Sequence, residues 1–145
     1  MLVKQMLSMK PSGEVYTIAS SASVADAVKQ LSDKRIGAII VSDDGVNPEG
    51  IISERDIVRE LGKQGPEVLS RSVADIMTRK PSTCSTGEDT RAILERMTEG
   101  RFRHMPVVDA EGRMIGIVSI GDAVSARLKE LRDERDALTG MIMGN

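Results

Sequence analysis

An internal repeat limits this chain more than any other feature. Gly50-Ile51-Ile52-Ser53-Glu54-Arg55-Asp56 recurs 66 positions later as Gly116-Ile117-Val118-Ser119-Ile120-Gly121-Asp122. Each copy reads as a glycine, two β-branched residues closing a strand, then Ser-x-x-Asp opening a helix. A strand end feeding a helix start is a place where a phosphate and a ribose can be held. The repeat divides 145 residues into units of about 60, too small to bury a comfortable core alone, so the two are expected to share one. The divisions expected are 1–66, 67–130 and a helical extension over 131–145.

Composition removes several classes of function. Lys+Arg 20 against Asp+Glu 22 gives a net charge of −2, without the basic excess of a non-specific nucleic-acid binder. Tyr16 and Phe102 are the only Phe, Tyr or Trp residues, too few for a single-strand stacking platform. One cysteine, Cys84, permits no internal disulfide, and the start lacks a signal-peptide pattern. No apolar run approaches the length of a membrane span. The expectation is a soluble cytoplasmic protein with no nucleic-acid partner and no membrane insertion.

The same order of elements is legible twice. Val3-Lys4-Gln5-Met6-Leu7 is a lead-in mirrored by Val73-Ala74-Asp75-Ile76-Met77. Val15 to Ile18 alternates as a brief strand, and Val24, Ala27, Val28 and Leu31 follow at helical spacing behind Ser23 as N-cap. Gly37 to Val41 is an apolar run suited to a strand covered on both faces. Ile51-Ile52 make the next strand and Ile57, Val58 and Leu61 the next helix, which Gly62 to Pro66 is expected to end. In the second unit Thr83 and Cys84 match Thr17 and Ile18, and Ile93, Leu94 and Met97 match Ala27, Val28 and Leu31. A strand beginning near Pro106 turns at Glu111-Gly112 into Ile115 to Val118. The fold class is therefore α/β: tandem β-α-β-β-α repeats packed as a pseudo-two-fold pair. A long C-terminal helix closes the chain. Its Val124, Leu128, Leu131, Arg135, Leu138 and Ile142 step by 4, 3, 4, 3, 4, a seam that predicts a homodimer.

The doubled pattern resembles a CBS-domain pair, also called a Bateman module. The likeness is carried by Lys34-Arg35-Ile36-Gly37-Ala38-Ile39-Ile40-Val41 with Gly50 to Asp56. In the second unit it is carried by Arg103-His104-Met105-Pro106-Val107-Val108-Asp109 with Gly116 to Asp122. The match runs from about residue 3 to 130. The resemblance implies two CBS repeats, adenosine-nucleotide clefts between them, and regulation of a client enzyme, channel or transporter. No client domain is present in the sequence, so the stand-alone members are the ones it resembles.

Residue chemistry supplies the candidate contacts. Asp56 and Asp122 suit the neighbouring hydroxyls of a ribose, and Ser53 and Ser119 can donate to phosphate at a positive helix end. Ser-x-x-Asp is equally a helix capping box, and the two roles coexist without conflict. Arg55 and Arg103 are the preferred phosphate cations; Arg35, His104, Arg101 and Lys80 are further candidates. With so few aromatics the purine is expected among aliphatic groups and backbone. Thr17, Ile18, Ala19, Ile36, Gly37 and Ala38 serve one unit, and Thr83, Cys84, Met105 and Pro106 the other. Ile120 and Gly121 replace Glu54 and Arg55 in the second motif, and Gly37 stands against His104, so unequal affinities are expected. Few cations per cleft favour AMP, with ADP, ATP, NAD(H) and S-adenosylmethionine as alternatives. His104 lacks metal-ligand partners in sequence and Cys84 lacks a base, so neither a metal site nor catalysis is expected. The rival reading is a ligand-free dimerisation module acting through its last helix.

Overall fold

The computed structural model describes residues 1–11 and 13–144. Helix α1 (Val3–Ser8) leads into β1 (Thr17–Ile18), α2 (Val24–Lys34), β2 (Ala38–Val41), β3 (Gly50–Ser53) and α3 (Glu54–Gln64). A 3-10 turn at Pro66–Ser70 and α4 (Val73–Ile76) then precede β4 (Thr78–Arg79), α5 (Thr90–Gly100), β5 (His104–Val108), β6 (Met114–Ser119) and α6 (Ile120–Ile142).

The first sheet has the order β1-β2-β3-β4. β1 and β2 are parallel, as a connection through a helix allows, while β2 and β3 form an antiparallel pair with Ile39 opposite Ile52. All four residues of β2 are buried, which explains its unbroken apolar run. The second sheet is the β5–β6 pair, extended by a single parallel bridge from Cys84 to Val107.

The repeats exchange their lead-ins. Val68, Val73 and Ile76, which follow the first repeat, complete the core of Ile18, Val24, Leu31, Ile39, Ile52 and Ile57. Val3 and Met6, from the lead-in of the first repeat, complete the core of Cys84, Ile93, Met97, Met105, Val107 and Val118. Backbone bonds fix both exchanges: Val73 N–H donates to Ala22 at 2.8 Å and Val3 N–H to Glu88 at 2.9 Å. Packing thus crosses the boundary expected near residue 66. Each fully buried aliphatic side chain in such a core contributes about 1.5–3 kcal/mol. This is how two small units become one stable body.

The motif glycines are where the exchanged segments approach. A Cβ on Gly50 would lie 2.6 Å from Met77 Sδ and 2.9 Å from the Thr78 carbonyl oxygen. A Cβ on Gly116 would meet Leu7 Cδ2 at 2.9 Å.

Several sequence expectations shift. The first strand is only Thr17–Ile18, and α3 runs through Gly62 to Gln64, ending where Gly65 adopts φ 79° before Pro66. Pro106 lies in the middle of β5, not at its start. The edge it turns toward Cys84 lacks an N–H, and the parallel contact there is reduced to one bridge. Strand register pairs Ala38 with Ser53 and His104 with Ser119, so Ala38, and not Gly37, is the counterpart of His104. Among the seam residues of α6, Val124, Leu128, Leu131 and Ile142 are exposed, as is Leu138 at 59 %.

Candidate functional site

Both Ser-x-x-Asp segments form complete capping boxes. Asp56 N–H donates to Ser53 Oγ at 3.2 Å, and Ser53 N–H returns to Asp56 Oδ2 at 3.0 Å. Asp122 N–H donates to Ser119 Oγ at 3.1 Å, and Ser119 N–H to Asp122 Oδ2 at 2.8 Å. The boxes start α3 and α6 and orient the remaining free N–H groups of each first turn outward.

These two helix starts border one cleft of about 710 Å³, a size suited to a nucleotide. Ser53, Glu54, Arg55, Asp56 and Arg59 form one side, and Ser119, Ile120 and Gly121 another. The strand approach Thr78, Lys80, Pro81 and Ser82 and the segment Gly100 to His104 complete it, with Gly37 and Ile51. Two positive helix ends on one concavity favour an anion there.

The carboxylates differ in their partners. Asp56 is buried, at 7 % exposure, and its Oδ1 accepts from an Arg59 guanidinium N–H at 2.9 Å. Oδ2 accepts from both the Ser53 N–H and the Ser53 hydroxyl, each at 3.0 Å, so the lone pair left over lies on Oδ1 beside Arg59. Asp122 is held from the other repeat: Lys10 Nζ lies 3.0 Å from Oδ2 and donates to the Ile117 carbonyl at 2.8 Å.

His104 crosses between the repeats. A Cβ on Gly37 would stand 3.3 Å from both Cε1 and Nε2 of its ring, so the imidazole rests close against this glycine. Burial holds the His104 pKa below its usual value, with the carboxylates of Glu54 and Asp122 opposing that shift and Lys10 and Arg103 adding to it. Cys84 is 2 % exposed, and burial pushes its thiol up to about 12, so it stays protonated and a poor nucleophile. Among the described residues, no group of three or more His, Cys, Asp or Glu is arranged to hold a metal ion.

Of the residues singled out in the sequence, the cleft brings together Gly37, Ser53, Arg55, Asp56, Lys80, Arg101, Arg103, His104, Ser119, Ile120 and Gly121. Ile18 and Ala38 are buried on the first side, and Cys84 and Met105 in the second core, with Pro106 buried beside them. Thr17 borders a separate shallow groove with Tyr16 and Lys34, Ala19 and Arg35 are exposed, and Ile36 and Thr83 are half-buried away from the cleft lining. Asp122 sits behind the lining in its capping box. The sequence reading passed over Phe102, whose ring fits over Gly100, and Arg59, one helical turn beyond Asp56. The i,i+3 spacing of Asp56 and Arg59 was the available signal for the second.

The profile of the CBS domain matches residues 3–63 and again 73–129. This chain belongs to the CBS-domain family as a tandem pair. It is 39% identical over 126 residues to the mitochondrial CBS domain-containing protein CBSX3 of Arabidopsis thaliana, covering 84% of this chain and 61% of that protein. This chain therefore spans less than two thirds of that relative. The CBS-domain protein ATU1752 of Agrobacterium tumefaciens superposes with a TM-score of 0.82 at 41% identity, over 88% of this chain and 99% of that one. CBSX2 of Arabidopsis thaliana in complex with AMP has a TM-score of 0.72 at 30% identity, over 88% and 96%. The CBS pair of MJ0100, in complex with 5'-methylthioadenosine and S-adenosyl-L-methionine, has 0.75 at 29%, over 88% and 98%. No helix among the described residues is long and apolar enough to cross a membrane.

Proposed function

We propose that this chain is a regulatory sensor whose cleft binds an adenosine nucleotide and whose occupancy alters a client protein. The observation that carries the reading is that both Ser-x-x-Asp helix starts border one cleft of nucleotide size. In this reading Asp56 accepts from a ribose hydroxyl through the Oδ1 lone pair left by its capping box and Arg59. Ser53, Ser119 and the first-turn N–H groups of α3 and α6 receive phosphate, assisted by Arg55 and Arg103. Phe102 and His104, the latter seated against Gly37, supply flat surfaces for the ring. The AMP held by CBSX2 and the adenosyl compounds held by the MJ0100 pair support an adenosine-containing ligand.

Ligand that binds only the folded state raises the melting temperature. The test is the melting of the chain with adenosine, AMP, ADP, ATP, NAD(H) and S-adenosylmethionine. A rise with adenine nucleotides that Asp56→Asn reduces is expected. No rise with any of them at millimolar concentration defeats the reading.

A second reading rests on a different observation, the exposed seam of α6. Leu128, Leu131 and Leu138 face solvent at 53 %, 44 % and 59 %. The occupant proposed for the seam is a second copy of this chain. Arg127, Arg132 and Glu134 flank it. An antiparallel pairing brings Arg127 toward Glu134 of the partner subunit, whereas a parallel one sets Arg127 against Arg132 of the partner subunit. Assembly and sensing then coexist on separate faces.

A further inference from the structure

From the sequence, few cations per cleft favour AMP, with ADP and ATP among the alternatives. The folded cleft is richer. Arg55, Arg59, Lys80, Arg101 and Arg103 line it, against the carboxylates of Glu54 and Asp56. Asp56 is already matched by Arg59 at 2.9 Å. Among the described residues, Arg55, Lys80, Arg101 and Arg103 form no ion pair. Four unpaired cations thus face one further carboxylate.

These cations come from different parts of the chain. Arg55 lies in the first turn of α3, Lys80 just after β4, and Arg101 and Arg103 between α5 and β5. Lys80 and Arg101 hold φ values of 48° and 56°, a left-handed conformation that glycine adopts at lower cost. Arg101 closes α5, where glycine is the usual residue, yet a guanidinium is placed there at the cleft. Gathering like charges in a concavity is unfavourable until an anion enters.

Granting that the cleft holds an adenosine nucleotide, we infer that it selects a di- or triphosphate over AMP. The α-phosphate meets the helix starts with Arg55 and Arg103. The chain of further phosphates meets Lys80 and Arg101, which a monophosphate leaves unmatched. S-adenosylmethionine, carrying a sulfonium cation, is disfavoured by the same charges.

The test is isothermal titration of the full chain with adenosine, AMP, ADP, ATP and inorganic tripolyphosphate, at fixed ionic strength without divalent cations. ATP is expected to bind at least about tenfold more tightly than AMP, with ADP between them. The preference narrows as salt rises. Lys80→Gln with Arg101→Gln is expected to reduce ATP affinity more than AMP affinity. Both side chains are exposed, and the thermal unfolding of that variant reports whether the fold is kept. Tripolyphosphate is expected to compete with ATP. Equal affinity for AMP and ATP, or an ATP preference unchanged in the double variant, overturns the inference and leaves nucleotide sensing intact. Absence of binding by every adenosine compound overturns both.

Discussion

Lys10 Nζ lies 3.0 Å from Asp122 Oδ2, so a residue near the start of the first repeat holds the motif carboxylate of the second. Asp56, its repeat counterpart, is instead held by Arg59 from its own helix. The two motif aspartates are therefore equivalent in sequence and unequal in surroundings. Both members of the Lys10–Asp122 pair are partly exposed, so screening limits its worth to at most about 1 kcal/mol. Lys10→Met is expected to lower stability by no more than that in urea unfolding.

The motif glycines are expected to differ in their tolerance of a methyl group. At Gly50 the added Cβ meets a backbone carbonyl at 2.9 Å, which moves only if β4 moves. Gly50→Ala is expected to cost about 1–3 kcal/mol in urea unfolding. At Gly116 the Cβ meets only the Leu7 side-chain tip, which rotates, so Gly116→Ala costs less. Equal losses at the two sites contradict the exchanged-lead-in packing as the cause.

The local rules were legible and the long-range ones were not. Ser53 and Asp56, like Ser119 and Asp122, declare a capping box by spacing alone, and the apolar run of β2 declares its burial. The AMP-contact slots assigned to Ile18, Cys84 and Met105 placed side chains where the cores needed them. An apolar residue on a strand looks the same in sequence whether it faces a core or a ligand. Which repeat receives Val3 or Val73 depends on docking between distant segments, which no periodicity records. Phe102 escaped notice because its place at the cleft follows from the left-handed turn at Arg101.

His104 gives the chain a pH dependence with a definite sign. Its pKa is lowered in the folded protein, chiefly by burial, so the unfolded chain takes up a proton first as pH falls. The stabilisation is complete above the ordinary histidine pKa of about 6.5 and is lost as pH drops from there through the folded value. Melting temperature is expected to decline across that window, and His104→Asn to flatten the decline. The same slope in the variant would assign the dependence to other groups.

The α6 seam makes a prediction about assembly. Leu131→Asp with Leu138→Asp places two charges on an exposed apolar stripe, outside either core. Light scattering is expected to show a dimer for the natural sequence and a monomer for the variant, with unfolding of the repeats nearly unchanged. A monomeric natural protein removes the seam as an interface between copies.

Capping replacements separate structure from binding. Ser53→Ala removes the acceptor for Asp56 N–H and is expected to cost about 1 kcal/mol of stability. Asp56→Asn keeps an oxygen for the Ser53 donors but turns an amide N–H toward the Arg59 guanidinium, so it is expected to cost stability as well and to weaken nucleotide binding more than Ser53→Ala does.

Equilibrium dialysis of labelled ATP against the full chain, stripped of any co-purified ligand, tests the cleft directly. Saturable binding near one nucleotide per chain, reduced at least about tenfold by Asp56→Asn with the fold retained, is the predicted result. Binding that is absent at millimolar ATP and AMP, or undiminished by Asp56→Asn, contradicts the account.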